Sequence, residues 1–258
     1  MALEHKYGPG VHLLDDPWLY SLLARIGSPD TGTRDITDLI RTAYQRLCAA
    51  ALAGEFPVVH GRVKTRMAPD EERGYYEGPL FCPETRLVVV AIARGGLVPA
   101  QTCYDAACQV LPPKNVRMDF LNMARTTDEH GQVTGVHFDG SKIGGPVNDA
   151  VVLIPDPMGA TGGTVARTLD IYKDLDGGPA GSYVCAHLMV TPEAIQRLAQ
   201  THPDARTYSG RLDRGLSPAA VLKTVPGTHP EQERGLNDQQ YIVPGAGGIG
   251  ELLTNSWV

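Results

Sequence analysis

Positive charge is in short supply in this sequence. Its 23 Lys and Arg stand against 29 Asp and Glu in 258 residues, a formal net charge of −6. That balance argues against a general nucleic-acid or anionic-membrane surface, and any bound phosphate must be held by a local cluster of basic groups. Cysteines are few. Cys48, Cys82, Cys103, Cys108 and Cys185 are odd in number and lack C-x-x-C spacing, so neither a zinc site nor a disulfide framework is suggested. Cys103 and Cys108 fall in an apparent helix, where they should pack as small hydrophobes. His60, His137 and His187 show no ligand spacing. His187 lies in an apparent strand and is expected to be a hydrogen-bonded core residue. No apolar run is long enough to span a bilayer, and Met1-Ala2-Leu3-Glu4-His5 does not read as a signal peptide, so the expected setting is soluble, reducing and cytoplasmic. Repeats, heptads and low-complexity segments are absent.

What is present is a regular alternation. Apolar residues make up 42% of the chain, enough for a sizeable core. Residues 35–54 read as an amphipathic helix, with Ile36, Leu39, Ile40, Ala43 and Leu47 on one stripe. Residues 55–86 read as an irregular or hairpin excursion. Strands are expected at 87–92, 116–123, 151–154, 183–190 and 206–212, and helices at 99–110, 164–175 and 192–200. That order predicts an α/β protein with a central parallel sheet flanked by helices. Residues 125–149 are poor in apolar side chains and are expected to be a long functional or mobile stretch.

The densest signal is Val151-Val152-Leu153-Ile154-Pro155-Asp156-Pro157-Met158-Gly159-Ala160-Thr161-Gly162-Gly163-Thr164. A strand buried on both faces ends in one acid, at the edge where open α/β sheets bind ligands. Glycines then allow close backbone approach, and two threonines and the amides of a helix start can meet an anion. A Walker loop is excluded because no lysine is present, and the glycine spacing is wrong for a dinucleotide fingerprint. A second strand end, Ala93-Arg94-Gly95-Gly96, sets a guanidinium beside exposed amides, which suits a pyrophosphate.

The first string resembles the 5-phosphoribosyl-1-pyrophosphate (PRPP) loop of type I phosphoribosyltransferases. Its Asp156-Pro157-Met158 and Ala160-Thr161-Gly162-Gly163 resemble the uracil phosphoribosyltransferase branch. Ala93-Arg94-Gly95-Gly96-Leu97 is similar to that branch's Leu-Arg-Ala-Gly-Leu loop, which often holds a strained peptide. Arg125 matches an arginine before the family's flexible hairpin, and Lys142 matches, less closely, the lysine after it. Asp213-Arg214-Gly215-Leu216 resembles the family's Asp-x-Gly-Leu. Residues 217–234 then look inserted before Gly235-Leu236-Asn237 and Tyr241-Ile242-Val243-Pro244-Gly245 resume the pattern. The resemblance makes this last segment the base-binding element, read mostly through main-chain groups. Here it departs from the family, with Ala246 for Leu, Gly248 for the first Asp, Ile249 for Ala and Glu251 for the second Asp.

The resemblance implies a type I phosphoribosyltransferase fold with a small hood, as one domain over residues 1–258, with residues 1–60 as an arm and helix. It implies transfer from PRPP to a nucleobase, uracil first, giving UMP and pyrophosphate. The implied roles follow. Asp156, Arg94 and Arg125 are catalytic. Met158, Gly159, Ala160, Thr161, Gly162, Gly163 and Thr164 hold the 5′-phosphate. Arg94, Gly95, Arg125 and Lys142 hold pyrophosphate. Tyr241, Ile242, Gly245, Gly247, Gly248 and Ile249 meet the base, with Ile249 crowding its pocket. Mg²⁺ would arrive on PRPP, without direct side-chain ligation. The partners are PRPP and a nucleobase, with no nucleic acid and no membrane, in a homodimer or higher homo-oligomer. Two alternatives stay open: the same fold with another pyrimidine-like or specialised-metabolism acceptor, and a non-catalytic PRPP- or nucleotide-sensing regulator.

Overall fold

The computed structural model describes residues 2–127 and 133–256. The chain opens with β1 (Val11–Leu13), α1 (Pro17–Ile26) and α2 (Thr33–Glu55), then a hairpin of β2 (Val58–Lys64) and β3 (Tyr75–Phe81). The alternating part follows as β4 (Leu87–Ala93), α3 (Leu97–Ala107), β5 (Val116–Thr127), β6 (Val133–Lys142), β7 (Val151–Pro155) and the short β8 (Met158–Gly159). It continues through α4 (Gly163–Lys173), β9 (Ser182–Val190), α5 (Pro192–Thr201) and β10 (Ala205–Leu212), and closes with α6 (Ala219–Leu222) and α7 (Ile249–Thr254).

One sheet runs β1-β10-β9-β7-β4-β5-β6, with β8 beside β9. Every pair in it is parallel except β5 with β6. The expected parallel α/β sheet is therefore present, with an antiparallel edge. Strand β4 shows why these residues make a central strand. Leu87, Val89 and Ala91 enter one core with α1, α2 and α3, whereas Val88, Val90 and Ile92 enter the other with Val165, Leu169 and Tyr172 of α4. A period of two with both faces apolar is what a strand between helical layers needs. Burying a large apolar side chain contributes roughly 1.5–3 kcal/mol, so these two cores dominate the stability.

One expectation needs correction, one open alternative is decided, and one strand is new. The stretch 125–149 is not without structure: β5 runs on to Thr127 and pairs antiparallel with β6, Arg125 opposite Val136 and Lys142 opposite Phe120. Polar composition hid a two-stranded arm. The excursion at 55–86 resolves into the β2–β3 hairpin, a separate two-stranded sheet. Strand β1 was not foreseen: three residues of Val-His-Leu carry too little pattern, and pairing of Val11 with Thr207 on β10 makes the strand. The segment 217–234 is ordered around buried Glu233, which accepts from Arg214 Nη1 at 2.9 Å and from the Gly227 amide at 2.8 Å and pairs with the Tyr7 hydroxyl. It packs on the N-terminal arm, where Lys6 N donates to Pro226 O at 2.7 Å.

Candidate active site

β4 and β7 lie side by side, and both end where a loop must turn back to a helix. After β7, Asp156 keeps partial exposure, and its Oδ1 accepts from the Met158 amide at 3.3 Å. Its main chain is pinned from below. Asp156 N donates to Ala186 O at 3.1 Å, and His187 Nδ1 lies 2.7 Å from Asp156 O. The sequence reading of His187 as a hydrogen-bonded core residue fits this placement, since it is fully buried in β9. Burial depresses its basicity, with Asp156 opposing in part. Burial likewise raises the Tyr44 hydroxyl, and Asp156 adds to it; the Tyr44 hydroxyl donates to Ala186 O at 3.0 Å.

The loop 157–164 folds over β9. Leu188 N and Met189 N both donate to Pro157 O at 3.1 Å, and Thr191 Oγ1 donates to Ala160 O at 2.6 Å. Gly159 has no room for a side chain: a Cβ there would lie 2.9 Å from the His187 ring. Gly162 has φ +71, in the left-handed region that favours glycine, and a Cβ would lie 3.2 Å from Ala194 O. It starts α4 without a side-chain cap, so the first amides of this 11-residue helix point out of the loop. Thr161 Oγ1 accepts from Gly163 N at 3.3 Å, and Arg197 from α5 reaches Thr161 O at 3.2 Å. Met158 and Gly159 pair with β9 as β8, and Ala160 to Thr164 turn from there into α4, where the helix-start amides can meet an anion.

After β4 the Ala93–Arg94 peptide is cis. Gly96 N donates back to Ile92 O at 2.9 Å, which turns the chain sharply into α3. A Cβ at Gly96 would lie 2.7 Å from Ile92 O, so only glycine allows the turn. A Cβ at Gly95 would lie 3.7 Å from Pro157 and 3.9 Å from Gly250, so this loop is wedged between the β7 loop and the C-terminal segment. Arg94 points along that C-terminal segment: Nη1 donates to Ser256 O at 2.8 Å, and Nη2 lies 3.7 Å from Glu251 Oε1.

The C-terminal segment is fixed by carboxylates that the sequence reading did not single out. Asp213, 1% exposed at the end of β10, is held by Arg211 Nη2 at 2.7 Å and accepts from Gly245 N at 2.8 Å. Glu193, in the first turn of α5, accepts from Gly235 N at 3.0 Å and Leu236 N at 3.3 Å. The only sequence signals were that Asp213 begins Asp213-Arg214-Gly215-Leu216 and that Glu193 follows a helix-starting Thr191-Pro192. Leu236 bridges Ile242, Val243 N donates to Gly235 O at 2.8 Å, and the Val243–Pro244 bond is cis. Gly245 and Gly247 have φ of +58 and +68. A cleft of about 800 Å³ opens beside this segment, lined by Thr161, Glu193, Arg197, Arg234, Leu236, Asn237, Asp238 and Gln240.

The structure therefore brings together Arg94, Gly95, Asp156, the 158–164 turn and the 245–251 segment. Other expected site residues stand apart or differ in role. Lys142 lies at the foot of the β5–β6 arm, two strands out from β4 and exposed. Arg125 occupies β5 three residues beyond Asn122, the partner of Ala93, so its backbone rises past the sheet's ligand edge; its side chain lies outside the described residues. Ile249 does not crowd a base pocket with its side chain. It is 2% exposed and packs in the main core, as does Ile242 at 5%. Each can meet a ligand only through its main chain. Tyr241 is 45% exposed at the rim.

No three His, Cys, Asp or Glu side chains gather as a metal cage among the described residues. Asp156 alone stands at the strand end, a donor set that suits a divalent cation carried in on a diphosphate. Phosphoribosyltransferases in general use Mg²⁺ with PRPP. Bound in that way, Mg²⁺ would neutralise pyrophosphate charge.

Two strand-end loops, one carrying an acid and a phosphate turn and the other an arginine, on a parallel sheet with an antiparallel arm at its edge, define a type I phosphoribosyltransferase fold. A family model described as "Uracil phosphoribosyltransferase" matches residues 13–230, and the chain belongs to that family. The uracil phosphoribosyltransferase of Burkholderia pseudomallei (strain 668) is 24% identical over 245 residues, covering 95% of this chain and 94% of its own. That of Burkholderia vietnamiensis is 25% identical over the same length. The solved structure of the AQ2163 protein from Aquifex aeolicus is 24% identical, covers 96% of this chain and 99% of that one, and has a TM-score of 0.71, so it shares the fold. Membership makes the chain a pentosyltransferase, with PRPP-dependent transfer to a base as the family reaction. Among the described residues no helix is long and apolar enough to cross a membrane.

Proposed function

We propose that this protein transfers the phosphoribosyl group of PRPP to a nucleobase, with uracil as the acceptor, giving UMP and pyrophosphate. The observation that carries this reading is the convergence at Gly95, which faces Pro157 of the phosphate loop and Gly250 of the base segment at once. Donor and acceptor halves of a bisubstrate reaction would meet there. In the reaction the C1′–pyrophosphate oxygen bond breaks and a C1′–nitrogen bond forms, and the base loses its ring N–H proton. Cationic charge develops at C1′ between the two events. The amides and hydroxyls of 158–164 would hold the 5′-phosphate. Asp156 would hold the ribose hydroxyls and steady the cation, and Arg94 and Arg125 would take the leaving pyrophosphate. Such a site works by positioning and by charge placement. Lys142 remains a candidate for pyrophosphate only if the arm carries it inward. The main chain at Tyr241, Ile242, Gly245, Gly247, Gly248 and Ile249 would read the base edge.

The chain acts as one domain in this reading, supported by the pairing of its first strand with its last. A cytoplasmic homo-oligomer is the proposed form. The β2–β3 hairpin exposes Val58, Val59, Val63, Tyr75, Tyr76 and Leu80, an apolar surface that suits contact between copies.

A second acceptor class is favoured by one feature, the replacement of the family's first acid by Gly248. Pyrophosphate release from PRPP should be followed with uracil, cytosine, thymine, orotate and hypoxanthine in turn. Turnover of uracil above the others supports the reading. Turnover only with another base moves the protein to the second class, and PRPP binding with no turnover makes it a sensor.

A further inference from the structure

We propose that Glu251 is the side chain that reads the acceptor base, filling from α7 the place left bare at Gly248. This rests on the transferase reading above and deepens it. Glu251 lies in the first turn of α7, with its side chain 27% exposed. Its carboxylate folds back over Gly248. A Cβ added there would fall inside contact distance of Glu251 Oε2 and lie 2.9 Å from Cδ. A residue one turn later thus sends its acid group to the spot where a side chain at 248 would begin. With glycine at 248 that space is free for the Glu251 carboxylate.

The surroundings say what such a carboxylate can do. Among the described residues its one ion pair is with Arg94, at 3.7 Å and too far for a hydrogen bond. Among the described residues Glu251 accepts no hydrogen bond, although an ionised carboxylate has about four acceptor positions. The main chain beside it is held rigid, because Gly245 N is bound to buried Asp213 and Gly247 and Gly248 turn directly into the helix. A partly exposed acceptor with spare capacity therefore stands between the arginine of one loop and the base segment. When Arg94 turns to pyrophosphate, Glu251 faces the acceptor, and a ring N–H is the donor it fits. The ligand class is a lactam-type base with an N–H on the edge opposite its glycosylated nitrogen.

Glu251→Gln, Glu251→Ala, Gly248→Asp and the double variant Gly248→Asp/Glu251→Ala test this. Folding is checked by thermal unfolding, PRPP affinity by calorimetry without base, and base KM and kcat with the best base of the panel. Glu251→Gln should raise base KM about tenfold, the loss of one hydrogen bond to a charged group, while PRPP Kd changes less than about twofold on the same scale. Gly248→Asp alone should not help, since two carboxylates would compete for one space. The double variant should recover most of what Glu251→Ala loses. A base KM unmoved in Glu251→Gln, or a double variant no better than Glu251→Ala, overturns the role of Glu251 and leaves the transferase intact. A wild-type protein that fails to bind PRPP, or binds it and uses no base, overturns both.

Discussion

Replacing Asp213 by Ala should both loosen the fold and spoil base use while sparing PRPP. The side chain is 1% exposed and makes three bonds: Arg211 Nε at 2.5 Å, Arg211 Nη2 at 2.7 Å and Gly245 N at 2.8 Å. Removing one partner of a buried ion pair costs about 3–5 kcal/mol. Arg211 keeps 23% exposure and can recover some hydration, so the lower end, about 3 kcal/mol, applies. At roughly 2–4 °C per kcal/mol for a chain near this size, Tm should fall by about 6–12 °C. The functional part follows from Gly245. Its amide loses its acceptor and its carbonyl loses Arg211 Nη2 at 3.3 Å, so the start of the base segment is freed. Misplacing a substrate-binding group by about 1 Å can cost about a hundredfold in rate.

The assay is thermal unfolding together with kcat/KM for the base and PRPP Kd by calorimetry, at a temperature where the variant is folded. Base kcat/KM should fall about a hundredfold and PRPP Kd should change less than about threefold, equivalent to well under 1.4 kcal/mol. Asp213→Asn keeps an oxygen for Gly245 N and loses the charge, so it should fall between. A Tm within about 2 °C of wild type would mean less than about 1 kcal/mol is at stake, and the buried pair is then no anchor. Equal losses in base and PRPP binding would refute the separation of the two half-sites.

Three further outcomes are expected. Asp156→Asn should lower kcat at least about tenfold, or about 1.4 kcal/mol in the barrier, while PRPP still binds; an unaffected kcat removes Asp156 from the cation's support. His187 is held neutral by burial, below its usual value of 6.5. The unfolded chain therefore takes the proton first, so this contribution to stability is whole above about pH 6.5 and declines as pH falls below it. His187→Gln should flatten that part of the urea-unfolding profile between pH 7.5 and 5.5, and an unchanged slope would show that other groups cause it. Native alkylation should label Cys82 and Cys108 first. Cys48, Cys103 and Cys185 are fully buried, and burial pushes the Cys185 thiol up to about 12; early labelling of Cys185 by mass spectrometry would show that the sheet opens.

How much of this was legible in the sequence differs by element. The strands at 87 and 151 could be read because they are apolar on both faces, and a strand between two helical layers has no other composition available. Their loops could be read because phosphate binding by amides restricts the residues allowed. Gly162 sits at φ +71, and Gly159 lies against the His187 ring, so the spacing of small residues is itself the signal. The β5–β6 arm could not be read, because residues 125–142 show no apolar period. Nor could β1, whose three residues become a strand only through β10.

The base segment was misread in a more instructive way. The sequence shows Gly248 where relatives of the family carry an acid, and Ile249 where they carry a small residue, which reads as an acid lost and a pocket crowded. In the fold the crowding is absent. Ile249 turns into the core at 2% exposure, and Glu251 returns its carboxylate over Gly248. A helix beginning at Ile249 explains both. Helical geometry sends residue 249 inward and lets residue 251 lean back toward the helix start, since side chains on a helix tilt to its N-terminus. Position-by-position comparison assigns a function to a column, whereas the chemistry belongs to a point in space. Gly248 removes one of the segment's two acids, Glu251 keeps the other, and the first turn of α7 brings that one back over Gly248.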